Sequence, residues 1–140
     1  MNNWQLKELL RQYPVTICAA DQVRIQRGRF VISNTDTRDG PGKHWVTFYF
    51  PVRGPYKFFD SLGRKPMDYD AGFETILQRH YFMNCDQLQR SNSDMCGLYC
   101  VYYVMNRSVG MSMKDIVKPF QVHGLSKNDD YIETFLKKNK

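Results

Sequence analysis

The sequence contains no apolar run that approaches the roughly 18 to 20 residues that a membrane-spanning helix requires. Its polar opening, Met1–Gln5, also lacks the hydrophobic stretch of a signal peptide. We therefore expect a protein that does not associate with membranes and is not secreted. The inside of a cell is reducing, which favours free thiols over disulfides.

Cysteine is scarce, and the four residues are Cys18, Cys85, Cys96 and Cys100. Their spacing matches no common zinc pattern, because Cys96 and Cys100 stand one helical turn apart and no second pair lies nearby. We therefore expect no metal cofactor.

Acidic residues are fewer than basic ones. The chain has 20 Lys and Arg against 14 Asp and Glu, a net charge of +6 and a pI near 9.2. Such an excess favours contact with polyanions such as DNA, whose phosphates the basic side chains neutralise. The basic residues are spread along the chain, so a solvated surface without such a partner is the alternative interpretation.

Aromatic residues, in contrast, are abundant. They make up 14% of the 140 residues, within a hydrophobic fraction of 42%. A chain of this length and composition can bury one core but has little room for a second. We find no internal repeat, and we expect a single domain over residues 1–140 that acts as a monomer.

In the first half of the chain, the hydrophobic pattern predicts one helix and three strands. The helical stripe consists of Leu6, Leu9, Leu10 and Tyr13. Pro14 follows it and should end the helix. The predicted strands are Phe30–Asn34, Trp45–Phe50 and Tyr56–Asp60. The second strand lacks a clean alternation of apolar and polar residues, which indicates burial on both faces.

In the middle of the chain, residues from Phe73 to Tyr81 carry apolar side chains at helical spacing and predict a helix. Gln87–Gln89 is predicted to be a short strand. The run Cys96–Met105 is apolar nearly all round, which is typical of a buried central helix that begins at or next to Cys96.

Two more helices are predicted near the end of the chain. Ser112 resembles an N-cap of a short helix that Pro119 stops. Ser126 is predicted to cap a final amphipathic helix.

A candidate catalytic set emerges from these positions. A helix N-terminus and a neighbouring histidine both favour the thiolate of a cysteine, and Cys96 stands at a predicted helix start. His44 at one strand start and Asp60 at the end of the next strand can meet as a general base and its orienting acid. The Gln89 side-chain amide and the Cys96 backbone N–H can stabilise an oxyanion. Residue type and spacing leave the alternative open, since such residues are also common in purely structural positions.

These four residues lie in three segments: Gly42–Phe48, Phe58–Gly63 and Gln89–Cys100. The segments, and the order His, acid, Gln, Cys, closely resemble the adenovirus maturation protease (adenain) family of clan CE cysteine peptidases. The resemblance extends from about Leu6 to the final helix. It implies an α+β fold, in which a central mixed or antiparallel sheet packs against a buried helix that starts at the catalytic cysteine and is flanked by further helices.

The resemblance also implies roles for individual residues. Cys96 matches the nucleophile, His44 the general base, Gln89 the oxyanion residue, and Asp60 the acid at a position where the family has glutamate. Three residues are expected to contact substrate: Trp45, Gly42 and Asn92. For Trp45, a place in the core is at least as favoured.

By the same resemblance, DNA and a short peptide are possible activators. In the family the peptide adds a strand and forms a disulfide with a cysteine upstream of the catalytic glutamine. Cys85 lies upstream of Gln89, but closer than in the family, so an ordinary thiol is the alternative. The chain is also shorter than adenain, which argues against a peptide requirement.

The function implied is cleavage of viral capsid or core precursors at glycine-containing sites during maturation, within the virion and the host-cell interior. The source would be a virus, a virophage or a Polinton-like element. Two alternatives remain open. One is a protease of the same clan that removes ubiquitin or ubiquitin-like modifiers, and the other is a catalytically silent, basic nucleic-acid-binding protein.

Overall fold

The computed structural model describes residues 1–36, 44–78, 80–122 and 124–139. Within these ranges it contains five strands and six α-helices. The strands are β1 (Val15–Cys18), β2 (Arg29–Asn34), β3 (Trp45–Phe50), β4 (Tyr56–Phe59) and β5 (Tyr81–Met83). The helices are α1 (Asn3–Leu9), α2 (Pro66–Tyr69), α3 (Ala71–Leu77), α4 (Cys96–Ser108), α5 (Met113–Val122) and α6 (Leu125–Lys138).

The strands form one mixed sheet in the order β1-β2-β3-β4-β5. The pairs β2/β3 and β3/β4 are antiparallel, whereas β1/β2 and β4/β5 are parallel. The central strand β3 is buried at five of its six positions, as its lack of alternation predicted. Because β3 and β4 run in opposite directions, the start of β3 and the end of β4 lie at the same edge of the sheet.

Each face of the sheet has its own core. On one face Val46 and Phe48 pack with Phe73 of α3. On the other face α4 lies against the sheet, and Tyr103 stacks on Phe59 with ring centroids 4.7 Å apart. Full burial of an aromatic or large aliphatic side chain contributes about 1.5–3 kcal/mol, and α4 buries nine of its 13 residues. This burial fixes the N-terminal end of α4 against the sheet. The predicted α+β fold, with a mixed sheet on a buried helix that begins at Cys96, is confirmed.

Two elements predicted in the segments around β5 were wrong. Helix α3 ends at Leu77, because Gln78 adopts a left-handed conformation with φ of 58°. Tyr81 therefore starts β5 instead of continuing the helix. Gln87–Gln89 is no strand, since the backbone N–H groups of Leu88 and Gln89 both bond the single carbonyl of Ser61. Strand β1 was not predicted at all.

The C-terminal helices also begin and end differently from the prediction. Ser112 does cap α5, and its Oγ accepts the N–H of Asp115. The helix nevertheless continues through Pro119 to Val122, and Phe120 packs in an aromatic cluster that favours the continuation. Helix α6 begins at Leu125 with Gly124 as its N-cap, so Ser126 lies inside the helix. In the ranges that the structure describes, no helix is both long and apolar enough to cross a bilayer.

Candidate active site

His44 and Asp60 meet at the sheet edge where β3 begins and β4 ends. His44 directly precedes β3, and Asp60 directly follows β4. The Nε2 atom of His44 lies 2.6 Å from Oδ1 of Asp60. His44 is 8% exposed and Asp60 is fully buried. The antiparallel pairing thus produces the contact that the sequence predicted.

The Asp60 carboxylate is surrounded by hydrogen-bond donors. Oδ1 accepts from His44 Nε2 and from the backbone N–H of Leu62, at 2.6 and 3.1 Å. Oδ2 accepts from the backbone N–H of Arg64 at 2.9 Å and from the hydroxyl of Tyr69 at 2.6 Å. A buried carboxylate is tolerated when such donors replace water. The four donors replace the solvation that burial removes, and they fix the plane of the carboxylate.

Asn84 holds the backbone of Asp60 in place. The Asp60 N–H donates to Asn84 Oδ1 at 2.9 Å, and Asn84 Nδ2 donates to the carbonyl of Asp60 at 2.5 Å. Asn84 follows β5, which runs parallel to β4, so the two residues share one sheet edge. Asn84 is only 2% exposed. The acid is therefore held through its main chain as well as its side chain.

Cys96 is the first residue of α4 and is 8% exposed. Its thiol faces the His44 imidazole, which stabilises the thiolate through hydrogen bonding and charge. Because Nε2 of the imidazole is engaged by Asp60, Nδ1 is the ring nitrogen that remains for Cys96. The N–H of a first helical residue has no acceptor within the helix, so the Cys96 N–H points out of the helix start.

The electrostatics of Cys96 and His44 are coupled. Burial opposes the thiolate, yet the hydrogen bond and charge of His44, with backbone N–H groups of Trp45 and Gly97, lower the pKa of Cys96. Burial likewise opposes the imidazolium, yet hydrogen bonds to Asp60 and Cys96 and their charges raise the pKa of His44 to about 9. Both shifts favour a thiolate–imidazolium pair.

Gln89 is 1% exposed and its side-chain amide is held at both ends. Its Oε1 accepts from Ser61 Oγ at 2.5 Å, and its Nε2 donates to the carbonyl of Ser93 at 2.8 Å. A glutamine amide carries two N–H donors, so the second is left for another acceptor. Ser61 directly follows Asp60, and this short segment thus contacts both His44 and Gln89.

Helix α6 anchors the loop that carries Gln89 to Cys96. Asn128 Nδ2 donates to the carbonyl of Leu88 at 2.8 Å. Asp129 accepts from Ser93 Oγ and from Tyr99 Oη, both at 2.8 Å. The loop has no strand, so these side chains supply the bonds that a sheet would otherwise provide.

The three residues that were predicted to contact substrate differ in their positions and exposure. Trp45 is 7% exposed and lies in the core, and its Nε1 donates to the carbonyl of Met1 at 3.0 Å. A Cβ on Gly97 would lie 3.4 Å from Trp45 Cδ1, so the indole borders the start of α4. Asn92 is exposed in the turn before the helix, and Gly42 lies outside the described residues.

The other three cysteines differ in exposure. Cys85 is exposed, Cys18 is partly buried and Cys100 is 1% exposed, and all four cysteines are free thiols. Burial and the charge of Asp21 raise the pKa of Cys18 to about 11. Among the described residues, no group of three His, Cys, Asp or Glu side chains is placed to hold a metal ion.

Sequence reasoning missed several residues of the site. Tyr69, Asn84 and Asp129 are distant from the motifs, and no local pattern marks them. Ser61 lies in the segment Phe58–Gly63, but the sequence predicted no role for it. Gly63 ends the same segment; its φ is 72°, and a Cβ at this position would lie 2.8 Å from the Asp86 backbone. A glycine at this position lets the segment after Asp60 approach the segment before Gln89.

A cysteine at a helix start, a facing histidine and a buried carboxylate behind it form the kind of arrangement that nucleophilic thiol catalysis uses. No protein-family model matches the sequence. The chain is homologous, at modest identity, to the cysteine protease S273R of African swine fever virus (isolate Tick/Malawi/Lil 20-1/1983). The two sequences are 29% identical over 89 residues, which cover 54% of this chain and 32% of the relative.

A solved structure is also similar, the crystal structure of the selenomethionine pS273R protease of the same virus species. The TM-score is 0.49 with 17% identity, and the match covers 84% of this chain and 61% of that chain. The sequence match spans about a third of the length of the curated relative. The sequence match by itself supports homology to a viral cysteine protease, and membership of the adenain family stays a prediction.

Proposed function

We propose that this chain is a cysteine endopeptidase that acts through Cys96, His44, Asp60 and Gln89. The observation that carries the proposal is the contact chain from the thiol at the start of α4, through His44, to the fully buried Asp60. Homology to a viral cysteine protease supports the same reaction class. Each group has the partner that its role requires.

In the first half of the proposed reaction, the Cys96 thiolate attacks the carbonyl carbon of a peptide bond. The carbonyl oxygen gains negative charge, and the free N–H of the Gln89 amide with the backbone N–H of Cys96 stabilises it. His44 gives its Nδ1 proton to the leaving amine as the C–N bond breaks. A thioester on Cys96 remains.

In the second half, His44 takes a proton from water, which attacks the thioester carbonyl. The C–S bond breaks, the acid product leaves, and the thiolate–imidazolium pair is restored. Throughout, Asp60 keeps Nε2 of His44 protonated, so that Nδ1 always faces the sulfur. The four hydrogen bonds on Asp60 keep this orientation.

For the substrate, we propose precursor polypeptides of a virus or virus-like element, cut next to glycine. On the family resemblance, Trp45 is proposed to line the substrate cleft and to favour a substrate residue without a side chain. Its indole lies close to Gly97, directly after the proposed nucleophile. Gly42 and Asn92 are proposed to contact the substrate on the family resemblance. The enzyme would act as a monomer in the virion and the host-cell interior.

We retain activation by DNA and by a short peptide as parts of the proposal that need separate tests. The net charge of +6 supports a contact with DNA. Cys85 is an exposed free thiol, which a peptide cysteine can reach. No metal is part of the proposed reaction.

The test is hydrolysis of fluorogenic peptides that end in Leu-X-Gly-Gly or Leu-X-Gly-X before the reporter. Wild type is compared with Cys96→Ala, each with and without DNA. Cys85→Ser is a further variant, which tests whether activation by a short peptide needs this thiol. Turnover that disappears in Cys96→Ala is expected. Cleavage of Gly-Gly-linked ubiquitin-like modifiers, with no cleavage of short peptides, would favour the deconjugating alternative. A folded, reduced protein without turnover on any substrate would contradict the proposal and favour the silent DNA-binding alternative.

A further inference from the structure

Gln89 serves as an oxyanion donor only if its amide points the correct way. With Nε2 towards the developing charge the amide stabilises it, whereas with Oε1 in that place two negative partial charges repel. The two orientations have nearly the same shape. The surroundings of the amide must therefore choose between them.

Two neighbours make this choice. The carbonyl of Ser93 can only accept a hydrogen bond, so the amide must turn Nε2 towards it. The hydroxyl of Ser61 then donates to Oε1. In the reverse orientation the oxygen of the amide would face the Ser93 carbonyl oxygen, and a buried acceptor would lose its donor.

The two neighbours are themselves held. Ser61 is 1% exposed, and its carbonyl accepts the N–H groups of Leu88 and Gln89 at 2.8 and 2.9 Å. Ser93 Oγ donates to Asp129 and accepts the N–H of Met95, the residue before the nucleophile, at 3.3 Å. The amide thus lies between two fixed groups, one directly after Asp60 and one in the turn before Cys96.

We propose that Ser61 and Ser93 are positioning residues that fix the direction of the Gln89 amide and keep its second N–H free for the oxyanion. The inference rests on the proposed function and deepens it. It assigns Ser61 a role that links the acid segment to the oxyanion donor. Neither serine touches the reacting atoms.

The test compares two reactions of Cys96 in wild type and Ser61→Ala. Peptide hydrolysis needs an oxyanion donor, whereas alkylation by iodoacetamide is a displacement at carbon that forms no oxyanion. In Ser61→Ala we expect kcat to fall about tenfold, below the roughly 10²–10³-fold effect of losing a donor completely. The KM and the alkylation rate of Cys96 should stay within about twofold.

Ser33→Ala is the matched control, because Ser33 is fully buried in β2 and its hydroxyl bonds the carbonyl of Asn34 and the thiol of Cys18, neither of which belongs to the proposed catalytic set. It should leave kcat unchanged. Ser93→Ala is the second variant if Ser61→Ala does not fold, and it should lower kcat in the same selective way by a smaller factor. Unchanged kcat in a folded Ser61→Ala protein, or an equal fall in kcat and alkylation, would overturn the inference.

The NMR signals of the Gln89 side-chain amide separate this inference from the proposed function, since they need no substrate. In wild type the two protons on Nε2 should be well separated and slow to exchange with water. In Ser61→Ala they should approach the values of an exposed glutamine. Unaltered signals would overturn the inference even if wild type cleaved no peptide, whereas altered signals without turnover would count against the proposed function alone.

Discussion

Two successive turns of α4 each carry a buried cysteine, and the two thiols differ in their chemistry. Cys96 in the first turn has a lowered pKa, because His44 and backbone N–H groups outweigh the cost of burial. Burial raises the pKa of Cys100 well above its ordinary value, and the charges of Cys96 and Asp60 raise it further. Burial is therefore not what separates the pKa values of the two thiols. The facing histidine and the backbone N–H groups at the helix start do so.

The largest effect on kcat should come from replacing the cysteine of the first turn, with the cysteine of the second turn replaced as the comparison. Cys96→Ala removes the nucleophile, and kcat for peptide hydrolysis should fall by about 10⁴-fold or more. Cys100→Ala is the matched control, since it removes a sulfur from the same helix without touching His44. It should keep kcat within a few-fold and lose about 1–2 kcal/mol of stability as a small core deletion. Equal losses of kcat in the two variants would break the comparison.

The second largest effect is expected for Asp60, whose carboxylate holds the His44 ring that faces the first turn of α4. In Asp60→Asn the new NH₂ group must face either the Leu62 N–H or the Arg64 N–H, so two donors oppose each other. We expect a loss of about 3 kcal/mol in the free energy of unfolding, measured with urea. The kcat should fall about 10²–10⁴-fold, since His44 loses its fixed tautomer. Wild-type stability in this variant would contradict the described carboxylate environment.

The pH dependence of hydrolysis should show the coupled pair. His44 has its pKa raised to about 9, so its stabilising charge is complete below its ordinary value of 6.5 and is lost as the pH rises through 9. Cys96 has a lowered pKa, so its thiolate contributes above its ordinary value of 9.0 and is lost as the pH falls through the lowered value. The kcat/KM should form a plateau between the two pKa values and fall about tenfold per pH unit well above pH 9.

A rate that keeps rising above pH 9 would show that the pKa of Cys96 is not lowered, so that the thiols of the first and second turns do not differ as described. The measurement uses kcat/KM, which reports the free enzyme. Circular dichroism at each pH serves as the control for unfolding.

The smallest effect is predicted for Tyr69. Tyr69→Phe removes one of the two donors on Asp60 Oδ2 and leaves the Arg64 N–H in place. A hydrogen bond to a charged group contributes about 1.5–3 kcal/mol, but a backbone donor remains and part of this loss is compensated. We expect kcat to fall about three- to tenfold with little change in KM. An unchanged kcat would mean that the backbone donors alone hold Asp60.

Tyr81→Phe is a suitable control for Tyr69→Phe. It also removes a tyrosine hydroxyl that bonds a carboxylate, that of Glu74. That pair lies in α3 and β5, away from the catalytic set, and the variant should keep the wild-type kcat.

The helix start and the strand pair that bring the candidate site together were predictable from the sequence. Cys96 followed a polar turn and opened an apolar run, and the strands before Asp60 and after His44 were marked by aromatic and β-branched residues. These are local signals. Antiparallel pairing of these two neighbouring strands then places His44 beside Asp60.

The supports of the site were not predictable in the same way. The segment around Gln89 resembled a strand, but its backbone bonds run to Ser61 and to Asn128, which are distant in sequence. Pro119 resembled a helix end, but the buried Phe120 keeps α5 continuous. Such tertiary contacts override local preference and leave no periodic trace in the chain.

The most direct test of the account is the alkylation of all four cysteines by iodoacetamide at pH 7, mapped by mass spectrometry in the folded protein. Cys85 is exposed and Cys96 is 8% exposed, so accessibility alone would favour Cys85. We predict that Cys96 reacts at least about tenfold faster than Cys85, that Cys100 does not react, and that His44→Ala removes the advantage of Cys96. Preferential labelling of Cys85, with Cys96 as slow as Cys100, would contradict the thiolate–imidazolium pair.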